Sequence, residues 1–210
     1  MEPRDGILKA AQVVFARHGF RQTSMTMVAD EAGLSRQALY HHFASKEELF
    51  AGLVDGLQEA AFAAAKDAAA GASGDLAEAI TRVMLAYHRS LMARVAGSPF
   101  AAELVEESSR QCGAAVAAHG RKFGKELEAL VARFAREGRF KMRPGVGPRD
   151  VVEMVLVAAK GAKIAHAGES EARFARTLER MIDVICAGVV APAKAGGRMQ
   201  RMGTARRIAR

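Results

Sequence analysis

Three serines govern how the first quarter of this chain can fold. Ser24, Ser35 and Ser45 each stand just ahead of a short run with helical apolar spacing, where a hydroxyl can accept a hydrogen bond from a helix N–H that has no partner of its own. Gly33 supplies the stop between the first two runs. The helices that fit between these signals are short. One starts after Ser24 and turns Met25, Val28, Ala29 and Ala32 to its apolar side; the other runs from Arg36 to about Phe43, held by a narrow stripe of Leu39 and Phe43. Ser45-Lys46-Glu47-Glu48 has the spacing of a capping box and starts a further helix. Upstream, Ile7, Leu8, Ala11, Val14, Phe15 and His18 repeat at helical spacing and end at Gly19. Two short helices joined by a glycine-containing turn make a helix-turn-helix.

With Leu39 and Phe43 turned inward, Arg36, Gln37, Tyr40 and His41 lie on the outer faces of the second short helix. Arginine can bond guanine in bidentate fashion and glutamine can bond adenine, while tyrosine and histidine can reach phosphates or sugars. A helix placed in a major groove uses that arrangement. The free N–H groups after Ser45, with the Lys46 ammonium beside them, suit a backbone phosphate. The plainer reading is a small three-helix packing unit with a polar surface.

The run "ILKAAQVVFARHGFRQTSMTMVADEAGLSRQALYHHFASKEELF", Ile7 to Phe50, resembles without a gap the N-terminal domain of the TetR family of bacterial transcriptional regulators. The resemblance lies in the paired alanines and Phe of the first helix, Gly19, Thr23, Val28-Ala29, the "AGLS" turn, "LY-x-HF" and "KEEL". It implies that Arg36, Gln37 and Ala38 face base edges, and that Tyr40, His41, His42 and Lys46 contact the DNA backbone. Met25 and Thr26 match positions that touch phosphate or an adjacent base; of the two only Thr26 can do so by hydrogen bonding.

The remaining sequence is rich in alanine, leucine and charged residues with little strand-like alternation, so the expected fold is all-α. It divides into a helix-turn-helix domain over 1–48, a larger helical effector-binding and dimerisation domain over 49–190, and a basic tail over 191–210. Helices are expected from Lys46 to about Ala70, from Asp75 to near Gly97, from Ser98-Pro99 to about Gln111 and from about Ala114 to Glu137. After the loop "GRFKMRPGVGP", Asp150 caps another helix and a last one follows Ser170. The stretch "VVEMVLVAAKGAKIAHAG" is apolar nearly all round, which calls for burial on more than one side. A four-helix dimer interface between two chains answers that need, with Val155, Ala158, Ala159, Ala162 and Ala165 on one helix and Leu178, Ile182 and Ile185 on the other; the alternative is an internal core pair.

Between these layers lie Phe62, Met84, Tyr87 and His88, followed by Leu91, Phe100, Leu104 and Phe123. In the family resembled, the corresponding helices enclose an effector pocket, and flexible methionine and aromatic side chains suit a broad apolar ligand; each residue could equally be plain core. His88, His119 and His166 are isolated, and Cys112 with His119 lacks a third ligand, so neither metal nor cofactor is implied. No catalytic triad, acid–base carboxylate pair or phosphate loop points to an enzyme.

The net charge of +8 is informative only when divided along the chain. The first fifty residues are neutral, 51–190 carry a surplus of two, and 191–210 hold six basic and no acidic residues. The high pI is therefore mostly a property of the tail. No apolar run is long enough to span a bilayer, which places the expected protein in the cytoplasm. The expected function is a homodimeric, ligand-responsive repressor on a palindromic double-stranded DNA operator, with an unidentified small-molecule effector. An effector-independent DNA-organising protein aided by its basic tail is the alternative.

Overall fold

The computed structural model describes residues 3–166 and 170–191; the expected basic arm lies almost entirely outside them. Among the described residues eight helices follow in order: α1 (Pro3–Gln22), α2 (Met25–Ala32), α3 (Arg36–His42), α4 (Lys46–Ala70), α5 (Leu76–Met92), α6 (Ala101–Arg136), α7 (Pro148–Ala165) and α8 (Glu171–Val189). Among the described residues there is no strand beyond an isolated bridge between Met142 and Val190, which ties the α6–α7 loop to the end of α8.

The three serines cap as their positions predict. Ser24 accepts from Met27 N–H, Ser35 from Ala38 N–H and Ser45 from Glu48 N–H. The Glu48 carboxylate reaches back one residue further than a capping box requires and accepts from Ala44 N–H at 2.7 Å. Gly33 closes α2 at φ 66, a left-handed conformation that costs glycine nothing. Gly19, at φ 74, turns the end of α1, and a Cβ there would meet Phe100 and Glu103 within 3 Å.

Two apolar clusters result. The first joins Ile7, Phe15, Val28, Leu39 and Phe43 to the start of α4, with Phe15, Phe20 and Phe50 in mutual ring contact at centroid separations of 5.0–5.8 Å. The second gathers Ile80, Val83, Leu127, Phe134, Val155 and Ile182 from α5 to α8. Helix α4 serves both, through Leu49 to Val54 in the first and Ala65 and Ala69 in the second. Helix α6 also serves both, giving Leu104 and Cys112 to the first and Phe123 onward to the second.

Three boundaries differ from the sequence expectation. α5 stops at Met92, and turns carry the chain to Gly97. There Arg94 bonds Gln12, and Ser98 Oγ donates to Ala16 C=O at 2.6 Å, so this serine fastens the α5–α6 connection to α1 instead of opening a helix. The expected break between Gln111 and Ala114 is absent: α6 is one helix. Gly113 is one of three interior glycines, with Gly120 and Gly124, each costing about 1 kcal/mol, and burial of Leu104, Cys112, Phe123, Leu127, Leu130 and Phe134 along the same helix outweighs them. α7 begins at Pro148; Asp150 caps it from inside, accepting from Gly147 N–H at 2.7 Å.

Candidate nucleic-acid interface and effector cleft

Helix α3 is pinned by Leu39 and Phe43, both buried, and by the Ser35 cap. Its outer side presents Arg36, Gln37, Tyr40 and His41 to solvent, with Ala38 and His42 half-buried. The Arg36 guanidinium sits 5.5 Å from the Tyr40 ring centroid, so the two side chains share one patch. Thr26 is exposed at the start of α2, whereas Met25 is buried. That burial removes Met25 from any contact with DNA.

Lys46 is engaged within the chain. Its ammonium does not stand free beside the α4 N-terminus. It donates to Phe20 C=O at 2.9 Å and approaches Arg21 C=O at 3.4 Å, while lying 4.4 Å from the Phe20 ring centroid. The lysine caps the carbonyl end of α1, where a cation is favoured, and ties α1 to α4.

A cleft of about 1010 Å³ opens between α5, α6, α7 and α8. Of the eight side chains expected in a pocket, Met84, Tyr87, His88, Leu91 and Phe123 line it. Val152, Leu156, Phe174 and Leu178 complete its apolar wall. The Tyr87 and Phe123 rings stack at 4.1 Å, and His88 lies against Phe174 at 4.2 Å. Burial, followed by the Lys163 charge, lowers the pKa of His88 and favours the neutral imidazole. Burial raises that of Tyr87, whose hydroxyl donates to Gln58 Oε1 at 2.6 Å.

Phe62, Phe100 and Leu104 lie elsewhere. Phe62 packs on the second cluster beneath the Lys122 ammonium. Phe100 packs against the first cluster beside Gly19. Leu104 lines a smaller cavity of about 150 Å³ beneath the N-terminal unit, with Phe15, Phe50 and Gln58. Helical spacing identified these as inward-facing residues but not which of the two clusters they face. Gln58 escaped sequence reasoning, although its place on the Val54, Ala61, Ala65 stripe of α4 is a readable sign of a buried amide.

The expected dimer residues also need sorting. Val155, Ala162, Leu178 and Ile182 are buried within the single chain; Ala158, Ala159 and Ile185 are half-buried, and Ala165 is exposed. The apolar side chains left open on α7 and α8 are Met154, Val157 (67%), Ile164 (70%), Met181 and Val184 (73%). Because α7 is apolar on nearly every side, its periodicity did not distinguish the core-facing side from the open one.

Both cysteines are buried, and burial raises their thiol pKa, that of Cys186 to about 12. Among the described residues no group of three or more His, Cys, Asp or Glu is placed to hold a metal ion, and no helix is long and apolar enough to cross a membrane. His119 instead joins α6 to α4 through Asp55 at 2.8 Å.

Residues 7–53 match the family described as "Bacterial regulatory proteins, tetR family". Over 64 residues the chain is 42% identical to the HTH-type transcriptional repressor KstR2 of Mycobacterium tuberculosis, a match covering 30% of this chain and 32% of that protein. The chain thus spans about a third of the length of the curated relatives it matches. The fold as a whole is similar to that of SmeT, the repressor of the Stenotrophomonas maltophilia multidrug efflux pump SmeDEF, with TM-score 0.66 and 23% identity over 90% of this chain and 91% of that one. It is likewise similar to SmeT in complex with triclosan, with TM-score 0.61 and 21% identity over 90% and 92% of the two chains.

Proposed function

Since its N-terminal unit belongs to the TetR family of bacterial transcriptional regulators, we propose that this chain is a homodimeric repressor that binds a palindromic DNA operator and leaves it when a small apolar or amphipathic molecule enters the α5–α8 cleft. The observation that carries the reading is the outward side of α3, where Arg36 and Gln37 stand ready for base edges while buried Leu39 and Phe43 fix the helix beneath them. Tyr40, His41, His42 and Thr26 flank that reading pair and supply backbone contacts, which orient the helix without choosing sequence. The open apolar side of α7 and α8 supports a two-fold contact with a second copy, which would present two α3 helices to two half-sites.

Release is a shift between two states of the dimer, so the effector must bind the DNA-free state more tightly. The path from cleft to DNA-binding unit runs through Tyr87 and Gln58. The first lines the cleft, and the second sits on α4 and lines the small cavity against Phe15 and Phe50.

Selection of bound duplexes from a randomised pool, followed by anisotropy titration, tests the reading. Gln37→Ala should change the selected bases and cost roughly 1–3 kcal/mol at its own position, whereas Tyr40→Ala should weaken every duplex alike. Unchanged selection by Gln37→Ala would remove α3 as the reader.

A further inference from the structure

The charges around the α5–α8 cleft narrow the ligand class, on the reading above that this cleft is the effector site. Its interior is apolar and aromatic, but its mouth is not. Arg121 and Lys125 reach it from α6, and Arg149, Lys160 and Lys163 from α7. All five are exposed, and none pairs with a carboxylate among the described residues. Only two acids, Glu128 and Glu153, share the same lining. The cations of α6 and α7 line the same cleft as its apolar groups, among them Leu156 of α7, which lies beside Gly124 of α6. Unpaired like charges around a low-dielectric cleft raise the local potential and favour an anion there.

We propose that the cleft takes an amphiphile with an apolar chain and an anionic head, carboxylate or phosphate, the chain lying among Tyr87, Phe123, Leu156 and Phe174 and the head held by the cations of α6 and α7. Arginine binds either head through paired N–H donors, and lysine adds point charge. An uncharged head gains neither. A cationic head meets repulsion from both rows. His88 lines the same cleft, and burial, followed by Lys163, lowers its pKa and favours the uncharged imidazole.

The test is calorimetric titration of the full-length protein with dodecanoate, dodecyl phosphate, dodecanol and dodecyltrimethylammonium, each below its micelle concentration, at low and high salt. At low salt one or both anions should bind at least about tenfold more tightly than dodecanol, and the ammonium should bind more weakly than dodecanol. The anionic advantage should shrink at high salt and in the Arg149→Gln/Lys160→Gln double variant, with Lys125→Gln as a second variant should the first not fold by circular dichroism. The ratio of carboxylate to phosphate binding identifies the head. Equal binding of dodecanol, equal binding of the ammonium, or no binding of any of the four overturns the assignment. Operator affinity measured alongside separates the two readings. An anion that binds with the expected preference yet leaves operator affinity unchanged upholds the ligand class and removes the effector role; charge-blind ligands that still release DNA do the reverse.

Discussion

Removing one oxygen atom from Tyr87 tests whether the cleft and the DNA-binding unit are joined where the structure joins them. In Tyr87→Phe the ring keeps its stack on Phe123, 4.1 Å away and nearly parallel, so little packing is lost. What is lost is the 2.6 Å hydrogen bond to Gln58 Oε1. Gln58 is only 8% exposed, so its carbonyl is left without a partner, at a cost of about 1–3 kcal/mol. Taking 2 kcal/mol and a urea dependence of about 2 kcal/mol per molar, the unfolding midpoint falls by about 1 M. Gln58→Leu alone strands the tyrosine hydroxyl in the same way. The double variant Tyr87→Phe/Gln58→Leu leaves no orphaned group and should recover most of the loss, which a double-mutant cycle reads as a coupling of about 1–2 kcal/mol. Urea melts followed by circular dichroism at one fixed protomer concentration give all four values, since the stability of the proposed dimer would depend on concentration. A Tyr87→Phe midpoint within 0.2 M of wild type, or strictly additive losses, would mean that the bond is not a structural link between α5 and α4.

Other substitutions separate surfaces that the sequence merged. Val184→Glu and Ile164→Glu should give folded monomers by light scattering, raising the dimer dissociation constant at least about a hundredfold, whereas Ile182→Glu should fail to fold. A folded dimer from both of the first two would place the contact elsewhere. Lys46→Ala should lower stability by about 1 kcal/mol through the lost bond to Phe20 C=O and the lost ring contact, and leave the salt dependence of DNA binding unchanged; a slope reduced by about one per protomer would make it a phosphate contact after all. His88 has a folded pKa below its ordinary 6.5, so below that pH the unfolded chain binds a proton that the folded chain resists, and stability falls with pH. His88→Gln should flatten that loss between pH 7 and 5 in thermal melts; an unchanged pH slope would show that His88 is not its source.

Where local chemistry decided the structure, the sequence was legible. The caps at Ser24, Ser35 and Ser45, the Gly33 stop and the Leu39–Phe43 stripe are each settled within a few residues, and they place Arg36, Gln37, Tyr40 and His41 on the outside. Lys46 was not legible because its partners, the carbonyls of Phe20 and Arg21, lie about twenty-five positions away and meet it only after α1 folds onto α4. The continuity of α6 was hidden for a similar reason. Gly113 reads as a break unless the helix is known to bury Cys112 against one cluster and Phe123 against the other. The cations at the cleft mouth come from two helices separated by a loop, so no local window contains them.

On the proposed effector reading, the unbroken α6 also changes how a signal would travel. Its far half forms one wall of the cleft through Phe123, and its first turn grips α1, where Glu103 accepts from Arg21 N–H at 2.9 Å. Just ahead of it, Arg94 and Ser98 hold Gln12 and Ala16. Two separate helices would let the cleft widen while the α1 contact stayed still. One helix stiffened by its own hydrogen bonds has no such joint, so a tilt at Phe123 must appear at Glu103 or be absorbed by bending. Within its first half the nearly buried Glu107 carboxylate is held by Arg110 and Gln111 on the same helix, and those hydrogen bonds lower its pKa. Together with the Tyr87–Gln58 link to α4, this gives the cleft two mechanical connections to the DNA-binding unit. On the proposed effector reading, a ligand that moved only one of them would strain the other, which would favour a concerted shift of the unit over a local adjustment.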